Sequence, residues 1–84
     1  MDPFNLIYLK YFIDAAESNS VSESAKKNFV TQSCVSQGIK KLEQTLKVDL
    51  TMHLRNRFKL TEEGKIIFIK GKQVFKSLKI SEVE

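Results

Sequence analysis

The stretch VTQSCVSQGIKKLEQTL, from Val30 to Leu46, decides the fold. Its apolar residues keep helical time: Val35, Ile39, Leu42 and Leu46 fall at i, i+4, i+7 and i+11, which makes one buried stripe. The opposite side carries Ser33, Gln37, Lys40 and Gln44 at the same spacing, with Lys41 beside them. A solvated helix face is usually rich in Glu and Lys together. This one shows hydroxyls, amides and cations.

The flanking segments give this helix its setting. Upstream, a first helix is expected from about Asn5 to Ser18, with Leu6, Leu9, Phe12, Ile13 and Ala16 as its core stripe. Ser20 and Glu23 then form a capping box, in which Ser20 accepts from the Glu23 amide and Glu23 bonds back. A short second helix runs to about Asn28 and buries Val21 and Ala25. Thr31 is the N-cap of the third helix, Gln32 to about Leu46. Few residues separate these two helices, so they turn sharply on each other as a helix-turn-helix, about residues 21–40.

Downstream, Leu50, Met52 and Leu54 alternate with Thr51 and His53, as a strand requires. Arg55 and Asn56 suit a two-residue turn, because Asn tolerates a left-handed backbone, and Arg57 to Leu60 return as a second strand. This hairpin, about residues 50–60, places Arg55 and Arg57 at or near its tip. Thr61 caps a last helix to about Lys79, with Glu62 and Glu63 favourably placed at its positive end. Ile80 to Glu84 read as a frayed tail. The expected fold class is mainly α: a winged helix-turn-helix with a three-helix core and a two-stranded wing over residues 4–60, then a long linker helix over 61–80.

Composition bounds the function. Eighty-four residues make one domain with one small core. No apolar run approaches the ~20 residues needed to cross a bilayer, so no membrane partner is expected. The opening MDPFNLIYLK has no basic region followed by a long apolar stretch, so no signal peptide is read. The single cysteine excludes an internal disulfide and fits a reducing cytoplasm. The net charge of +4 is mild but localised. Lys40, Lys41, Lys47, Arg55, Arg57 and Lys59 face only Glu43 and Asp49 within residues 40–59, while the remaining charges cancel. A solvated basic patch would look like this, and so would the footprint of a protein that binds a polyanion.

Catalytic and metal chemistry is thin. His53 and Cys34 are the only histidine and cysteine, and no ligand spacing supports a metal. Cys34 reads as a small flanking residue rather than a redox switch, since its thiolate needs local activation. Gly38 reads as a point of close helix packing despite a helix cost of ~1 kcal/mol relative to Ala. There is no Gly-rich phosphate loop and no nucleophile–base pair. Neither an enzyme nor a cofactor is expected.

With those residues in view, NLIYLKYFIDAAESNSVSESAKKNFVTQSCVSQGIKKLEQTLKVDLTMHLRNRFKLTEEG resembles the N-terminal DNA-binding domain of LysR-type transcriptional regulators. The resemblance covers about Phe4 to Lys79. Its most specific pieces are VTQSCVSQGIKKLEQTL for the recognition helix and LTEEG at the start of the linker helix. It implies a dimeric bacterial transcription factor of the cytoplasm and nucleoid, whose long last helix pairs two subunits. It also implies DNA contacts by Thr31, Gln32, Ser33, Ser36 and Gln37, with Arg55 and Arg57 in the wing. Ser20, Ser22, Lys40, Lys41 and His53 complete the expected DNA-binding set.

Several positions depart from the family pattern. Asn28 stands at a usually apolar position, and Phe29 is expected to fill that space. Lys47 stands for a usual glycine, His53 for a usual wing arginine and Thr51 for a usual phenylalanine, so a less well packed wing is expected. Family members are normally several times longer and carry a C-terminal effector-binding domain. This chain holds no such small-molecule domain, so it is either a fragment or a complete miniature protein.

The last helix has more apolar surface than a small core can take. Ile67, Phe68, Gly71, Val74, Phe75 and Leu78 make a broad stripe, with Ile66 and Ile69 outside it. The stripe is expected to hold a homodimer. A two-fold dimer sets two recognition helices about one DNA turn, or a multiple, apart on an inverted repeat. Two functions fit: a sequence-specific double-stranded DNA binder that regulates transcription, and a winged-helix interaction module or truncated subunit that titrates a full-length regulator. The localised cations and the Glu-poor face favour DNA. RNA is disfavoured because the stripe lacks exposed aromatics to stack on bases.

Overall fold

The computed structural model describes residues 6–54 and 57–78. Helix α1 covers Leu6–Ser18, α2 Val21–Asn28, α3 Gln32–Leu46, strands β1 Thr51–Leu54 and β2 Arg57–Leu60, and helix α4 Glu62–Leu78. The start of the first helix at Asn5, the Arg55–Asn56 turn and the tail from Lys79 onward lie outside the described residues. So do the side chains of His53, Leu54, Arg57 and Leu78.

Helix α1 is the centre of the molecule, packed by α2, α3 and α4. That is why its buried surface exceeds one stripe: Leu9, Phe12, Ile13 and Ala16 are buried as expected, and Tyr11, Asp14 and Ala15 join them. Leu6 is exposed instead, because it lies at the first turn. Val35, Ile39, Leu42 and Leu50 complete the core. Gly38 brings α3 against α1, since a Cβ there would stand 2.8 Å from Tyr11 Cδ2 and 2.9 Å from Tyr8 Cδ1.

The α1–α2 corner is a half capping box. Ser20 Oγ accepts from the Glu23 amide at 3.1 Å. The Ser20 amide donates to the Ala15 carbonyl at 3.0 Å, so the expected return bond from Glu23 has no role. The Glu23 carboxylate stands 3.6 Å from the Lys26 ammonium.

At the α2–α3 turn the expectation for Phe29 is overturned. Phe29 is 94% exposed and fills nothing. Its φ of 57° places it in the left-handed region that ends α2, and that geometry turns the ring away from the core. Asn28 is accommodated by polar partners instead. Its Nδ2 donates to the Asp14 carboxylate at 2.9 Å and to the Ser24 carbonyl at 2.8 Å. Lys10 pairs with the same carboxylate at 2.7 Å. Ser24 Oγ, fully buried, donates to the Tyr11 carbonyl at 2.8 Å.

The strands pair antiparallel, with Thr51 opposite Leu60, Met52 opposite Lys59 and His53 opposite Phe58. Phe58 and Leu60 pack on the core, whereas Met52 and Lys59 are exposed. Helix α4 lies against α1. Ile67, Phe68 and Phe75 are packed against the core of their own chain. A Cβ on Gly71 would stand 2.7 Å from Ile13 Cδ1. These four residues, expected at a dimer interface, also cover the short three-helix core of their own chain, and Ile67, Phe68 and Phe75 remain half-exposed. Among the described residues, the large apolar side chains left outside on α4 are Ile66, Ile69 and Val74. Lys72 closes the α1–α4 seam, 3.1 Å from Glu17 and 5.2 Å above the Phe68 ring.

Candidate nucleic-acid interface

The exposed face of α3 is set by its two ends. At its start, Thr31 Oγ1 accepts from the Cys34 amide at 3.0 Å, as an N-cap should. At its end, Lys47 takes a left-handed φ of 60° and its amide donates to the Glu43 carbonyl at 2.7 Å. Between them Gln32, Ser33, Ser36, Gln37, Lys40, Lys41 and Gln44 are all exposed. The amide of Gln37 donates from Nε2 to Ser33 Oγ at 3.2 Å, one helical turn back.

Glu43 is the one acidic residue of α3. Its carboxylate accepts from the amides of Leu50 at 2.8 Å and Thr51 at 3.1 Å. It therefore anchors the base of the wing. The wing base is tied on its other side by the Thr61 amide, which donates to the Leu50 carbonyl at 3.1 Å. Thr61 Oγ1 donates to the Asp49 carbonyl and accepts from the Gly64 amide at 2.9 Å, which starts α4. The sequence reading missed this anchor. Its signal was a lone acid in a helix otherwise free of carboxylates, eight residues before the strand it holds.

The other expected contacts divide plainly. Ser20 is an N-cap, and both Ser20 and Ser22 are half-buried at the start of α2. Thr31 is exposed. Arg57 pairs with Leu54 in the hairpin register, and Arg55 lies outside the described residues. Lys26, Lys27 and Lys59 are further exposed cations. Cys34 is exposed, and its thiol stands 3.6 Å from the Tyr11 hydroxyl. That contact, then burial, holds the Tyr11 phenol above the ordinary tyrosine range.

Residues 6–65 match the sequence profile of the bacterial regulatory helix-turn-helix proteins of the lysR family. The chain belongs to that family. It is 40% identical over 70 residues to an uncharacterised HTH-type transcriptional regulator of Bacillus subtilis, YxjO, which covers 83% of this chain and 24% of the relative. It is 39% identical over 70 residues to the glycine cleavage system transcriptional activator of Escherichia coli K12, covering 83% of this chain and 23% of that protein. The chain thus spans about a quarter of the length of these curated relatives.

Solved structures of the lysR family share the fold. The BenM DBD in complex with catB site 1 DNA superposes with a TM-score of 0.84 at 25% identity, over 89% of this chain and 83% of that one. Full-length OxyR C199D from Pseudomonas aeruginosa gives 0.86 at 26% identity, over 90% of this chain and 25% of that one. The four helices and the two-stranded antiparallel wing are those of lysR-family winged-helix domains. Among the described residues, no helix is long and apolar enough to cross a membrane.

Proposed function

We propose that this chain is the double-stranded-DNA-binding part of a transcriptional regulator, and that it acts as a homodimer on an inverted-repeat site. One observation carries the reading: α3 exposes amides, hydroxyls and cations, while Glu43 is held on the wing amides. A helix in the major groove must meet phosphates on its way to the bases, so a free carboxylate there would repel the backbone. Gln32, Ser33, Ser36 and Gln37 form the base-reading set. Thr31, Lys40, Lys41, Ser20, Ser22, His53, Arg55 and Arg57 hold the backbone. DNA complexes among the similar lysR-family structures support the assignment.

The homodimer belongs to the same reading. With Ile67, Phe68, Gly71 and Phe75 packed against their own chain, the pairing contact centres on Ile66, Ile69 and Val74 on the outer side of α4. Selection from a random duplex pool, followed by footprinting, tests both parts. Enrichment of an inverted repeat that takes up two protomers is the expected result. Failure to enrich any duplex, with tight pairing to a longer lysR-family subunit, would favour the interaction-module reading instead.

A further inference from the structure

The Ser33–Gln37 hydrogen bond makes a specific statement about which base is read. We infer that Ser33 is a positioning residue for Gln37, and that the pair presents an acceptor and a donor outward to an adenine in the major groove. This rests on the proposed DNA-binding role of α3. The argument begins with the amide. Its Nε2 donates one proton to Ser33 Oγ at 3.2 Å. The second Nε2 proton and the Oε1 lone pairs remain for a partner. Adenine offers the complementary set, an N6 donor beside an N7 acceptor, whereas guanine offers two acceptors, O6 and N7. An amide turned the other way, with Oε1 on the serine hydroxyl, would lead with its protons and suit guanine.

The spacing gives Ser33 its role. Residues four apart sit one above the other on a helix, and both side chains are exposed. Free in solvent, Gln37 would sample several rotamers and both amide faces. Held by Ser33, it loses that freedom before DNA arrives, which reduces the ordering cost on binding. Ser33 then takes its part in the base-reading set through Gln37, its hydroxyl holding the amide, rather than through a base contact of its own.

The test is titration of the selected duplex against variants carrying each base pair at every position. Wild type should prefer adenine at one position per half-site by roughly tenfold to a hundredfold over guanine. Gln37→Ala should abolish that preference and leave the others. Gln37→Arg should move it toward guanine. Ser33→Ala should weaken the adenine preference by about twofold to tenfold, the scale of one hydrogen bond, and Ser33→Thr should restore it. The decisive comparison is the double variant: Ser33→Ala should have no further effect on specificity once Gln37 is Ala. Additive effects would make Ser33 an independent contact and overturn the positioning role. A wild-type preference for guanine at the Gln37-dependent position would overturn the adenine assignment. If wild type bound no duplex at all, the DNA reading itself would fall, and this inference with it.

Discussion

Asn28 Nδ2 donates to the Asp14 carboxylate across 2.9 Å and so ties the end of α2 to the middle of α1. The link matters because Asp14 is buried and Lys10, its other partner, reaches it from a side chain 40% exposed to solvent. Asn28→Ala removes a donor that also serves the Ser24 carbonyl. The expected loss is about 1–3 kcal/mol, because a buried acceptor is left short of a partner. Asn28→Asp should be worse, since it sets a second carboxylate beside the first. Urea unfolding of the three proteins gives the order directly; an Asn28→Asp variant as stable as wild type would contradict it.

Glu43 holds the wing through two backbone amides, so its removal should act at a distance. Glu43→Ala leaves the Leu50 and Thr51 amides without that acceptor and should cost about 1–3 kcal/mol. Glu43→Gln keeps an acceptor oxygen and should fall between Ala and wild type. Hydrogen exchange reads the mechanism: the Leu50 and Thr51 amides should lose protection more than those of α1. Uniform loss across the chain would mean that Glu43 contributes to global stability rather than to wing anchoring.

The three glycines should rank by what a methyl group would meet. At Gly64 it falls on the Leu50 carbonyl, which is backbone and is already bonded to the Thr61 amide. Gly64→Ala is therefore expected at or above the upper end of the ~1–3 kcal/mol typical of overpacking. At Gly38 it meets the rings of Tyr11 and Tyr8, which give way less readily than an aliphatic tip. At Gly71 the nearest atom is Ile13 Cδ1, the end of a flexible side chain. There the gain of about 1 kcal/mol in helix propensity nearly offsets the clash. Thermal melts should order the variants Gly64, Gly38, Gly71 from most to least destabilised.

Local chemistry was legible in the sequence, and long-range partnering was not. The caps at Ser20, Thr31 and Thr61 each involve a side chain and an amide three residues away, so a short window contains both partners. The stripe Val35, Ile39, Leu42 names its own helix face. Ser24, Asn28 and Glu43 look like ordinary surface residues in such a window, because the groups they bind lie 13, 14 and 7 residues away. For α4 the difficulty was different. An apolar stripe says that something covers it, without distinguishing α1 of the same chain from a second chain. Gly71 lying on Ile13 and Leu9 makes that choice for one side of the helix only.

The two proposed DNA-contacting surfaces should respond differently to salt. Gln32→Ala should lower affinity for the selected site far more than for scrambled duplex, because a side-chain amide matches a base edge. Arg57→Ala should weaken both alike and reduce the slope of log K against log salt by about one unit, as expected for one lost phosphate contact. Titrations of both duplexes at several salt concentrations separate the cases. Equal loss of specific and non-specific binding in Gln32→Ala would remove that residue from the base-reading set.

The dimer reading makes a prediction that contrasts two faces of one helix. Ile66 and Ile69 are 51% and 57% exposed, so charging them should leave the fold intact. Ile69→Glu, alone or with Ile66→Glu, should shift sedimentation from dimer to monomer while the melting curve of the monomer unit changes little. Phe75→Glu should behave otherwise. Phe75 is half-buried against the core of its own chain, and the change removes the packing of its ring, so that variant should unfold rather than dissociate cleanly. The contrast identifies which face pairs, because a stripe centred on Phe75 would give the reverse pattern. It also bears on DNA. A dimer contributes two recognition helices to one inverted repeat, so Ile69→Glu should bind a half-site as wild type does and lose most of its advantage on the full site. A wild-type chain that stayed monomeric at high concentration and on the full site would overturn the dimer reading while leaving the α3 assignments untouched.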